Sequence, residues 1–166
     1  MHRGVRAAVR SLAVTIALIA ATGCVSARVD GVSMTPTLDN ADRLFVDMLS
    51  YEWTPPRPND IVAVAYPRQR GRMVVKRVIA AEGDTVQIAA GRVFVNGRRI
   101  NDDYVPEGFR SRDDWGPERI PRGSYFVLGD HRNRSTDSRH WGVVAKRDIR
   151  GRISVRWWPW RSMRTF

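Results

Sequence analysis

Cysteine is all but missing. Cys24 stands alone, which excludes an internal disulfide and any zinc site built on a cysteine cluster. Histidine is nearly as scarce: His2, His131 and His140 are the only three, too few for a multi-histidine metal centre. No metal and no cofactor are therefore expected. Lysine is the third scarcity. Of 28 basic residues only Lys76 and Lys146 are lysine, and the rest are arginine. Acidic residues number 17, leaving a net charge of +11. That excess invites a nucleic-acid partner, but the arginines are spread along the chain and no nucleic-acid-binding motif accompanies them. None is expected. A basic surface facing anionic lipid fits the same charge. A hydrophobic content of 43% excludes a disordered chain, and 166 residues leave room for one domain with a genuine core. Internal repeats and low-complexity tracts are absent as well.

What is present centres on Met73-Val74-Val75-Lys76-Arg77-Val78-Ile79-Ala80. β-branched residues dominate this stretch and Gly71 and Gly83 bracket it, the pattern of a buried strand. At a period of two, Val74, Lys76, Val78 and Ala80 share one face, and Val75, Arg77 and Ile79 share the other. Lys76 thus sits in an apolar row. An ammonium held there loses hydration, which lowers its pKa from about 10.4 and favours the neutral amine. A neutral amine near pH 7 can act as a general base, whereas arginine keeps its proton in any protein environment. A lysine snorkelling to the strand edge fits the same pattern. The stretch alone leaves both readings open.

At the N-terminus Arg3, Arg6 and Arg10 precede an uncharged apolar run from Leu12 to Val25. With Ser11, Ser26 and Ala27 it reaches the short end of what spans a bilayer, roughly 17 residues. Three readings compete. A single anchor over residues 11–27, with 1–10 in the cytoplasm, fits the arginines ahead of the run. Val25-Ser26-Ala27 has the small residues of a signal-peptide cleavage site. Ala21-Thr22-Gly23-Cys24 looks like a lipobox, with alanine where leucine is usual. All three place residues 28–166 on the extracytoplasmic side.

Soon after the run comes Val29-Asp30-Gly31-Val32-Ser33-Met34-Thr35-Pro36-Thr37-Leu38. Gly31 permits a tight turn and Pro36 stiffens the segment after Ser33. A serine on such a turn can present its hydroxyl and its own N–H to a carbonyl, as nucleophile and oxyanion donor. Taken alone, it reads equally as an ordinary turn serine. It is not alone. Together with Lys76-Arg77 and with Gly129-Asp130-His131-Arg132-Asn133-Arg134-Ser135-Thr136-Asp137-Ser138-Arg139, the segment resembles the bacterial type I signal peptidases. These are membrane-anchored serine proteases with a Ser/Lys dyad. The resemblance runs from Val29 to the C-terminus and includes Asp60-Ile61-Val62, Gly83-Asp84, Trp141-Gly142-Val143-Val144 and Arg156-Trp157-Trp158-Pro159. It favours the membrane anchor, because such enzymes work close to the membrane surface.

The resemblance implies Ser33 as nucleophile, Lys76 as general base, and Ser135 as a hydroxyl that orients the lysine amine. It implies a structural cluster of Asp130, Arg132, Asp137 and Arg139, in which an Asp137–Arg139 ion pair holds Ser135 in place. An extended substrate would add to a strand edge, with Met34, Val74 and Val75 near small pockets for alanine at positions −1 and −3. The implied partners are secretory preproteins and membrane lipid. A specialised maturation protease for a pilus or conjugation protein would share the same machinery. A self-cleaving repressor protease also uses a Ser/Lys dyad, but the apolar N-terminal run and the lack of a DNA-binding module count against it. A non-catalytic lipoprotein anchored at Cys24 would need none of these residues. Gly31 stands where some members carry a serine in the oxyanion hole. His131, Asn133 and Arg134 replace the commoner asparagine, aspartate and asparagine, and Asn59 replaces a usual glycine.

Strands are expected at Arg43–Asp47, Ile61–Tyr66, Met73–Ala81, Thr85–Ala89, Arg92–Val95, Ser124–Leu128 and Ile149–Trp158, with a hairpin at Asn96-Gly97. Tyr51–Asp60 reads as a loop and Asp102–Pro121 as a polar excursion. The fold class is mainly β: a signal-peptidase-like domain of short antiparallel strands, with one N-terminal membrane-spanning helix. Residues 83–121 form a small β sub-domain within it.

Overall fold

The computed structural model describes residues 23–166 apart from Arg68 and Arg70. Most of the expected anchor therefore lies outside the described residues. Among the described residues no helix is long and apolar enough to cross a membrane.

The longer strands form on β-branched runs buried on one or both faces, and short segments pair along their edges. The strands are β1 (Cys24–Arg28), β2 (Arg43–Asp47), β3 (Ile61–Ala65), β4 (Met73–Ala80), β5 (Thr85–Ala89) and β6 (Arg92–Val95). β7 (Arg98–Arg99), β8 (Trp115–Arg119), β9 (Ser124–Leu128), β10 (Val144–Ala145), β11 (Ile149–Trp158) and β12 (Arg164–Thr165) come next. Two four-residue helices, α1 (Ser50–Trp53) and α2 (Ser138–Trp141), interrupt them. One sheet runs β1-β2-β11-β3-β4-β9-β10, with β12 on β11, and a second runs β7-β6-β5-β8. All the pairings are antiparallel.

β1 departs from the sequence reading. Cys24–Ala27 is expected at the end of the anchor, yet these residues pair with β2 in the register Cys24↔Asp47 to Ala27↔Leu44. The triplet Val25-Ser26-Ala27 accordingly sits inside a ladder, and cutting it there requires β1 to peel away. The excursion after Asp102 also contains a strand, β8, paired with β5. Elsewhere the turns follow from backbone chemistry. Asn96 and Gly97 both hold positive φ, as a type I′ hairpin requires. Asn59 takes the left-handed region at φ 77°, which asparagine tolerates better than other side chains and which suits the glycine it replaces.

β4 lies between β3 and β9, and its two faces feed different cores. Val74 and Val78 pack with Val62, Val64, Tyr125 and Val127. Val75 packs on the opposite side with Ile61, Ala63, Met34 and Leu38, so the Ser33 segment is docked by its own apolar residues. Ile79, Ala80, Phe126 and Leu128 join Val86, Ile88 and Ile120, which clamps the small sheet to the large one. Each fully buried side chain of this kind contributes roughly 1.5–3 kcal/mol.

Candidate active site

β9 pairs with β4 only from Arg77 to Ala80, whereas β3 pairs with all of Met73–Arg77. Among the described residues, Met73–Lys76 therefore have a strand partner on one side only. Over that stretch opens a cleft of about 470 Å³, lined by Gly31, Ser33, Met34, Val74, Val75 and Lys76 among others.

Ser33 is half-buried, directly before the buried Met34 and five residues ahead of the buried Leu38. Gly31 supplies the bend with φ 110°, and its N–H is held by Asn40 Oδ1 at 2.9 Å. Lys76 is 2% exposed. Its Nζ donates to Ser33 Oγ at 2.7 Å and to the Val75 carbonyl at 3.0 Å. Burial lowers its pKa to about 8, with Asp137 and Asp130 pulling the other way and Arg139 and Arg72 assisting. Two groups 43 residues apart in the chain are thus brought within hydrogen-bond reach, one of them carrying an amine poised to lose its proton.

Behind the pair lies the 129–139 block. Asp137 is fully buried, and although burial opposes its charge, a two-pronged bond from Arg139 at 2.8 Å and 2.8 Å keeps it well below the usual carboxylate range. It also accepts the Gly129 N–H at 3.0 Å and caps α2. Arg139 reaches on to the carbonyls of Arg132 and Ser135, at 2.7 Å and 3.3 Å. Removing one partner of such a buried pair typically costs about 3–5 kcal/mol.

One expectation needs correction. Ser135 makes no hydrogen bond to the Lys76 amine: its buried Oγ lies against Gly129 and bears on the Asp137 carboxylate, while the amine is engaged by Ser33 and Val75. Asp130 and Arg132 sit in the cluster through different partners. The chain enters a tight turn at Arg132–Arg134 that sends Arg132 back to the Gly129 carbonyl and toward Asp102. Asp130 instead takes a two-pronged bond from Arg77, at 2.9 Å and 2.7 Å. Arg77 is legible as a charge in the other apolar row of β4, but its partner lies 53 residues on and only the register of β4 with β9 joins them.

Gly129 shows no role of its own in the sequence beyond its place in the motif. A Cβ there would collide with the Ser33 carbonyl and the Ser135 side chain, so only glycine lets the backbone pass between them. Met34, Val74 and Val75 all line the cleft, and Met34, 1% exposed, is equally part of the core. His131 is turned aside from any triad arrangement. Its Nδ1 lies 3.3 Å from the Val32 carbonyl and its ring packs against Phe109 at 4.1 Å. Among the described residues no group of acids, histidines and cysteine could hold a metal ion.

An antiparallel β scaffold with a serine held against a desolvated lysine defines a class: a hydrolase equipped for acyl transfer through a Ser/Lys pair. Comparison with known proteins narrows it. The family described as Signal peptidase, peptidase S26 matches residues 3–158. A "Signal peptidase I" of Leptolyngbya laminosa is 41% identical over 89% of this chain and 76% of its own length. A "Probable signal peptidase I-2" of Synechocystis is 36% identical over 76% of this chain and 60% of its own length. The crystal structure of a signal peptidase I from Enterococcus faecalis superposes with a TM-score of 0.54 at 31% identity, covering 61% of this chain and 98% of that one. The chain belongs to the signal peptidase family, peptidase S26.

Proposed function

We propose that this chain is a signal peptidase I, removing N-terminal signal peptides from secretory precursors after small residues at −1 and −3. Ser33 is the nucleophile and Lys76 the general base. The observation that carries this reading is the 2.7 Å separation of Ser33 Oγ and Lys76 Nζ around an amine that titrates at about 8. The neutral amine takes the hydroxyl proton as Oγ attacks the scissile carbonyl, then returns it to the leaving amine. The resulting acyl-enzyme is opened by water, with the same amine as base. Among the described residues the Ser33 N–H has no acceptor, which leaves it available to the developing oxyanion. The one-sided stretch Met73–Lys76 suits strand addition by an extended peptide, with Met34, Val74 and Val75 beside the small −1 and −3 side chains.

In this reading the apolar run of residues 11–27 is the membrane anchor, its last residues, Cys24–Ala27, leaving the β1 ladder to complete the span, with the catalytic domain on the extracytoplasmic side. This rests on the lack of charge in the run behind Arg3, Arg6 and Arg10. Lipid contact by the domain itself is supported by exposed Trp158, Trp160 and Met163 beside Arg161 and Arg164.

The test is Lys76→Arg. A permanent cation cannot accept the serine proton, so this variant is expected to be as inactive on a precursor peptide as Lys76→Ala. Turnover by the arginine variant would remove Lys76 from the role of base.

A further inference from the structure

The segment from Asp102 to Asp113 takes no part in the chemistry of the dyad. Yet it supplies partners to much of the machinery behind Ser33. The Tyr104 ring lies 4.1 Å from the Arg77 guanidinium, and the Phe109 ring packs on His131. The Gly108 carbonyl accepts from Asn133 at 3.0 Å. Ser111 and Asp113 accept from Arg139, at 3.1 Å and 2.6 Å.

Asp102 is the one acid of this segment that is fully withdrawn from water, at 2% exposure. Arg110 grips it at 2.7 Å and 3.1 Å, and Arg132 Nη1 lies 3.4 Å away. Arg132, also 2% exposed, donates its Nε to the Gly129 carbonyl at 3.0 Å. Gly129 is the residue wedged against the Ser33 carbonyl and the Ser135 hydroxyl. The next link is short too: the Ser33 carbonyl accepts the His131 N–H at 3.0 Å.

We propose that Asp102 is a positioning residue for the reaction, acting through Arg132 and Gly129 to set where Ser33 stands relative to Lys76. This role rests on the Ser33/Lys76 reading of the site. Its action is geometric rather than electrostatic, since the acids that bear on the Lys76 amine are Asp137 and Asp130. Substrate binding is a separate matter, because Asp102, Arg110 and Arg132 do not line the cleft over β4.

Asp102→Asn therefore lowers kcat by about tenfold or more while KM for a precursor peptide stays within about twofold and the midpoint of the pH–rate profile does not move. Arg132→Lys keeps the cation and loses the Nε donor, and it has the same effect. Because both act through one chain of contacts, the double variant loses no more than the worse single one. All rates are taken below the unfolding transition, with circular dichroism confirming the fold. A folded Asp102→Asn protein with wild-type kcat, or losses that multiply in the double variant, would overturn the proposal. If Asp102→Asn does not fold, Arg132→Lys decides by the same criteria. Ser33→Ala, assayed alongside, separates the two levels. Activity there sinks the dyad itself, whereas an inert Ser33→Ala beside a fully active Asp102→Asn sinks only the role of Asp102.

Discussion

A lysine at 2% exposure gives up most of its hydration, and its amine titrates at about 8 rather than at 10.5. Between those values the unfolded chain binds more protons at this site than the folded one, so stability rises with pH across that window and is lowest below it. Lys76→Met should raise stability at pH 7 by up to about 3 kcal/mol, the free energy of such a shift, and flatten the rise. Urea unfolding at pH 7 and pH 10 checks both. A destabilised variant would mean that the amine is better solvated than its burial implies. Catalysis needs the neutral form, so kcat/KM is expected to rise through about 8. His131→Asn should leave that rise in place. Burial holds the imidazole below its ordinary pKa, and the ring faces the Val32 carbonyl and Phe109. A midpoint near 6.5 that vanishes in the asparagine variant would point to histidine instead. The burial of Lys76 is legible in the sequence because a charge in a β-branched row has nowhere polar to go. The partner of Asp130 is not, since choosing Arg77 over Arg132 depends on which strands lie side by side.

At the scale of elements, the block behind the site works because its backbones touch. β9 ends at Leu128, the chain passes Ser33 at Gly129, and α2 begins at Ser138 under the cap of Asp137. Gly129→Ala should cost about 1–3 kcal/mol of stability, as overpacking does, and reduce activity disproportionately, by at least about tenfold. Thermal unfolding and peptide turnover measured on one preparation would show whether the two losses separate. Equal wild-type activity would mean that the Ser33 carbonyl can retreat freely. The longer strands are readable from β-branched runs and turn residues, β4 and β11 most plainly. β1 is hidden inside an apolar run that reads as membrane span, and Cys24-Val-Ser-Ala-Arg28 carries no clear alternation. β8 and α2 are hidden by length: five residues broken by Gly116-Pro117, and four residues, leave almost no periodic signal.

At the scale of the whole molecule, a β domain carries a Ser33/Lys76 pair at the end of a half-paired strand, and an apolar N-terminal run would hold both at a membrane. Several motifs far apart in the chain make the domain and the pair legible together, because the resemblance depends on their order and not on any one of them. The cleft walls are less so: Met34 serves the core and the cleft at once, a dual use that sequence cannot separate. The most direct measurement is cleavage of a full-length secretory precursor by the purified full chain in detergent or lipid vesicles, beside its Ser33→Ala form, with N-terminal sequencing of the product. One cut is expected, after a small residue at −1 with another at −3, and no product from the alanine form. Cleavage that persists in Ser33→Ala, or an intact precursor with the unmodified chain, would contradict it.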